Sequence, residues 1–178
     1  YEKGKLFDQY QKLKEHFFDS FELLNIKEKK IHLISLLNDY TFVQKEHRLD
    51  YGERLPFYKL GLSSGVILNK GKISRVSFSA IITTSNHVKD FRFSDNFIEE
   101  YYRKLPLKVQ NDGRVHGMAH TLYRRGDLEK TLNLMATHDF KSDYYKLMER
   151  LLNVQVHFDL LINDDTYFTR FYSLIDSS

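Results

Sequence analysis

The sequence has no cysteine among its 178 residues, which removes disulfides, thiolate metal sites and a cysteine nucleophile together. It has no tryptophan and only two prolines, Pro56 and Pro106, so long segments run without a helix breaker. No apolar run approaches the roughly 20 residues that span a bilayer, and no membrane contact is expected. The opening YEKGKLF lacks an apolar stretch, so no signal peptide is expected there, although one could have been removed. The closing FYSLIDSS follows soon after an apolar helix, an ending compatible with truncation. Neither a P-loop nor a G-x-G-x-x-G is present, and no cofactor is expected. The lack of cysteine fits a reducing, cytoplasmic setting.

What is present points to a folded chain. Hydrophobic residues make up 42% and aromatics 15%, carried by 14 Phe and 12 Tyr, which is ample core material. The net charge of +3 permits contact with nucleic acid without requiring it. Most charges alternate in sign, as in KLKEHFFDSFELLNIKEKK, the mark of solvated helix faces.

Apolar residues Leu6, Phe7, Tyr10, Leu13, Phe17, Phe21 and Leu24 recur at steps of three and four, predicting a helix over 5–24. Asn25 marks a turn, and KEKKIHLISLLNDY reads as a second helix ending near Asn38. Residues 41–64 read as loop with a short helical piece. Val76, Phe78, Ala80 and Ile82 then alternate with Ser77, Ser79 and Ile81, the period of a half-buried strand. With a turn at Asn69-Lys70-Gly71, this predicts a β-hairpin, and HVKDFRF a third strand. Ser94-Asp95 can cap a helix through NFIEEYYRKL, bounded by Pro106. The expected fold is therefore α+β in a single domain, 1–178. Helices fill 1–60, a small antiparallel sheet lies at about 66–93 within a hairpin region 65–93, and helices return over 94–178.

The stretch GRVHGMAHTLYRRGDLEKTLNLMATHDF predicts two short amphipathic helices joined by Gly126-Asp127, an αα-hairpin. HTLYRRGDLEKTLNLM resembles the helix-turn-helix unit of pentatricopeptide and tetratricopeptide repeats, and DDTYFTRFYSLIDS resembles the start of a further unit. The resemblance covers 113–140 and 163–178; the residues between do not reproduce a consensus repeat. It implies a helical surface that takes a protein partner. Arg114 and His120 resemble the R-x(4–6)-H element of the HEPN ribonucleases, which implies a metal-independent cleavage of RNA by that pair. HEPN domains are all-helical, and the expected hairpin stands against that fold.

Other signals are weaker. His116 and His120 are spaced to share a helix face, as zinc ligands do, but Gly117 stands where a catalytic Glu would sit, so no metal is expected and two partly exposed histidines are. GLSSG has the G-x-S-x-G form around Ser63, but with a strand expected after it, it reads as a turn. A winged helix would place its basic wing tip at Lys70-Gly71-Lys72, but Pro56 and the glycines interrupt its recognition helix. Glu99-Glu100 and Asp164-Asp165 are adjacent, so neither is an acid/base pair, and the second reads as a helix N-cap.

One feature points outward. Arg92, Tyr101, Tyr102, Arg103, Lys104, Lys108, Arg114, Arg124 and Arg125 interleave cations with aromatics. Cations can track phosphates while rings stack on bases. The expected function is a non-catalytic interaction or regulatory module contacting nucleic acid through 92–125. A protein–protein adaptor and a HEPN-like ribonuclease are the alternatives, and the oligomeric state stays open.

Overall fold

A computed structural model describes residues 2–47 and 49–163 of the chain. The described residues are mostly helical and contain no strand, so the expected α+β class is corrected to all-α. The described residues hold eight α-helices: α1 Glu2–Ser20, α2 Ile26–His47, α3 Leu55–Ser63, α4 Arg75–His87, α5 Phe91–Tyr101, α6 Gln110–Arg125, α7 Leu128–Ala136 and α8 Asp143–Asn163. They form two compact units, residues 1–90 and 91–178.

The first unit is built on the α1–α2 hairpin. Asn25 is a cap as well as a turn: its side chain accepts from the amides of Lys27 and Glu28 at 3.0 and 3.1 Å. Glu28 in return accepts from the Asn25 amide, a capping box that starts α2 at Ile26. Helix α2 continues past Asn38 because Leu33, Leu36, Tyr40 and Val43 keep helical spacing on one buried face, and their burial outweighs the weak propensity of Asn-Asp-Tyr-Thr. Tyr10, Phe17 and Phe21 meet that face, and Pro56 opens α3 rather than breaking it. Ser63, central to the GLSSG read as a turn, is the last residue of α3, and no strand follows. The Arg54 guanidinium lies 4.5 and 4.6 Å from the ring centres of Tyr40 and Tyr51.

The expected sheet fails for a local reason. The turn itself is present: Lys70 and Gly71 both have positive φ, and Asn69 and Lys72 exchange backbone hydrogen bonds of 2.8 and 3.0 Å. The pairing stops after that single bridge, because Ser74 Oγ accepts from the Ser77 amide and caps α4. Within α4 the alternation is misleading. Val76, on the expected core side, is 76% exposed, whereas Ile81, on the expected polar side, is fully buried. Phe78, Ile81, Ile82 and Ser85 form the buried face at helical spacing. The third strand is likewise absent: α4 ends at His87, Lys89 turns the chain with φ 59°, and α5 begins at Phe91.

In the second unit, α5 stacks Phe93, Phe97 and Tyr101 along one face, with ring centres 6.1 and 4.9 Å apart. The expected cap at Ser94-Asp95 lies inside this helix, where Ser94 is buried. The αα-hairpin expected around Gly126 is present. Gly126 takes φ +89°, and the Asp127 amide donates to Leu122 O at 3.0 Å, closing α6. Asp127 holds the N-cap position of α7, but its carboxylate pairs with Lys130 instead of capping. The helix N-cap expected at Asp164-Asp165 and the second repeat-like segment lie outside the described residues, apart from the end of α8 at Asn163.

Candidate functional site

Helix α6 organises the second unit by presenting two faces in opposite directions. Toward α5 it turns Arg114, Thr121 and Arg125. Arg114 pairs with Glu99 at 2.8 Å, Thr121 shares a buried 3.1 Å hydrogen bond with Ser94, and Arg125 pairs with Asp95. Away from α5 it turns Asp112, His116, Ala119 and Tyr123. Ala119 and Tyr123 join Met135 of α7 and Leu152 and Val156 of α8 in an apolar cluster.

This geometry divides the nine residues expected to contact nucleic acid. At one end of the α5–α6 pair lie Arg92, Arg124 and Arg125, with Arg125 also over the Phe91 ring. At the other lie Tyr101, Tyr102, Arg103, Lys104, Lys108 and Arg114. The eleven residues of α5 set the ends about 15 Å apart. Tyr101 is buried in the α5 ladder, and burial pushes its pKa up. Tyr102 keeps a half-buried ring, with the Arg103 and Arg114 guanidinium carbons 5.5 and 5.3 Å from its centre. Lys104 sits over Tyr101 at 4.4 Å, and Arg103 Nε donates to the Tyr102 hydroxyl. Asp95 and Glu99 therefore offset two of the seven cations.

Arg114 and His120 are not brought together. Six residues at 100° each set them about 120° apart around the helix. Arg114 is turned to Glu99, while the His120 ring lies 6.5 Å from His116. Burial pushes His116 down to about 4, with the neighbouring His120 adding to the effect. Burial, then Arg124, takes His120 to about 4 as well. Both rings are uncharged at neutral pH, so neither is an imidazolium general acid there. The expectation of two partly exposed histidines is corrected for His116, which is 7% exposed with no hydrogen-bond partner at Nε2.

Asp112 is a further buried polar group of α6. One carboxylate oxygen is hydrogen-bonded to His138 Nε2 at 3.0 Å, and the other accepts from the amides of Lys141 and Ser142 at 3.0 and 2.8 Å. That carboxylate ties down the α7–α8 connection. Among the described residues no group of histidines and carboxylates could hold a metal ion, and no helix is long and apolar enough to cross a membrane.

The sequence reading missed two apolar surfaces. In the first unit, Leu6, Tyr10, Leu13, Phe42 and Val43 line a groove of about 520 Å³ along α1 and α2, with Gln9 and Asp39 as its polar members. In the second, the outer face of α8 is apolar. Leu6, Tyr10 and Leu13 of the groove belong to the α1 stripe already read from the sequence, but that stripe was assigned wholly to the core; the α8 stripe was not read at all.

Compared with protein-family models, with curated proteins and with solved structures, the chain matches none.

Proposed function

We propose that the protein is a non-catalytic helical adaptor that binds a protein partner through the groove between α1 and α2. The groove carries this reading. Five of its seven lining residues are apolar or aromatic, and Leu6, Leu13 and Phe42 stay exposed in it. Two antiparallel helices leave a channel that fits a third helix lengthwise. The Asp39 carboxylate favours a partner helix with a cation beside its apolar stripe. The cysteine-free sequence suits a reducing cytoplasmic setting.

The test is an anisotropy titration of the full chain with a labelled amphipathic Leu/Lys helical peptide. Saturable binding that is lost in Leu13→Glu/Phe42→Glu and kept in Arg124→Glu/Arg125→Glu is expected. Equal binding by the groove variant overturns the reading.

A second reading has one observation in its favour. The Tyr102 end of the α5–α6 pair sets the Arg103 guanidinium over a half-buried ring, with Lys104 over the neighbouring Tyr101, which suits a phosphate backbone with one stacked base. It predicts binding of single-stranded RNA that falls with salt and weakens in Arg103→Glu/Lys108→Glu, with the RNA left intact.

A further inference from the structure

Helix α8 has two apolar faces, and its neighbours cover one. Leu152 and Val156 are buried on the inner side in a cluster with Ala119 and Met135, and Tyr145 is buried on the same side beside the His116 ring. On the outer side Leu147, Leu151, Val154, Phe158 and Ile162 are each between 50% and 68% exposed. Their steps of four, three, four and four place them within one narrow stripe around the helix. The spacing of Leu147, Leu151, Val154, Phe158 and half-buried Leu161 alternates four and three, averaging the 3.5-residue repeat of a helix seam that faces another helix.

We propose that this stripe is a homodimer interface, in which α8 packs antiparallel against α8 of a second copy. Two arguments select a second copy. The first is area: the five side chains leave on the order of 500 Å² of apolar surface open, as large as the largest apolar patch of a typical single chain, which is often functional. Doubled across a two-fold axis, that reaches about 1,000 Å², the lower bound for a specific interface. The second is self-complementarity. A two-fold axis between Leu151 and Val154 sets Leu147 opposite Phe158 of the other copy and Leu151 opposite Val154. Each larger side chain then meets a smaller one, and the same patch serves both chains. The cations nearest the stripe, Lys146 and Arg150, lie on its flank, leaving no charge in the seam. The inference goes beyond the adaptor reading, which concerns a different unit, so either can fail alone.

Sedimentation equilibrium of the full chain tests it. The expected mass is twice 21.3 kDa, falling to a single chain in Leu151→Glu/Val154→Glu. The glutamates sit on exposed positions, so helicity by circular dichroism is expected to be unchanged. Because the chain has no cysteine of its own, orientation can be read directly. A mixture of Leu151→Cys and Val154→Cys chains should form a disulfide-linked pair on oxidation, whereas Val154→Cys alone should not. A monomeric wild type overturns the proposal, and a lower melting temperature of monomeric Leu151→Glu would then show that the chain's own residues cover the stripe. A dimer that persists in the glutamate variant overturns it as well, and self-linking of Val154→Cys overturns the antiparallel register.

Discussion

The Asp112 carboxylate on α6 is hydrogen-bonded to His138 at 3.0 Å, beyond the end of α7, while its second oxygen holds the two amides just before α8. One buried acid thus joins three helices. Asp112→Ala leaves those two amides and the ring without their partner, and should cost about 3 kcal/mol. Urea unfolding followed by far-UV circular dichroism measures it. A loss below about 1 kcal/mol would show that water replaces the carboxylate.

His116 and His120 make the second unit sensitive to mild acid. Folded, both titrate near 4; unfolded, near the ordinary 6.5. Between those values the unfolded chain binds more protons, so falling pH favours unfolding. The stabilising effect of keeping the rings neutral is complete above about pH 6.5 and is lost as pH drops toward 4. Each ring that must charge contributes roughly 3 kcal/mol over that range. Melting temperature against pH should fall across this window, and more shallowly in His116→Leu.

Gly126 takes φ +89° to end α6, a conformation that costs a residue with a Cβ about 1 kcal/mol. A Cβ there would meet nothing within 4 Å, so the cost is backbone strain alone. Gly126→Ala is expected to lower the melting temperature by a few degrees and leave the rest of the fold intact.

The α4 segment separates helix from strand directly. Ile81→Ala should cost about 3 kcal/mol, since Ile81 is fully buried, and Val76→Ala should stay within about 0.5 kcal/mol. A strand with Val76 inward would reverse the order, and paired unfolding curves decide it.

That segment also shows how far the sequence could be read. The α1 stripe and the Gly126 hairpin were legible, because a single apolar face and a glycine stop are local signals. The Asn69–Lys72 turn was legible too, but its continuation was not. Ser, Thr, Val and Ile favour strands, and Phe78 and Ile82 satisfy a period of two or of 3.6 equally well. Ile81 and the Ser74 cap decide the matter, and a window read for alternation assigns Ile81 to the polar side. Asn38 looked like a helix end until Tyr40 and Val43 proved buried. At the candidate site, the cations near Tyr102 could be counted but not their partners. Glu99 reaches Arg114 only because α5 folds back on α6, fifteen residues away in sequence.

The adaptor account is tested most directly by how binding responds to salt. The full chain should be titrated with the labelled amphipathic peptide and with labelled single-stranded RNA, in EDTA, at low and high salt. Apolar burial predicts that peptide affinity holds or rises with salt, while any RNA affinity falls. Peptide binding that collapses at high salt, beside tighter RNA binding at low salt, would contradict the account and make the Tyr102 end the working surface.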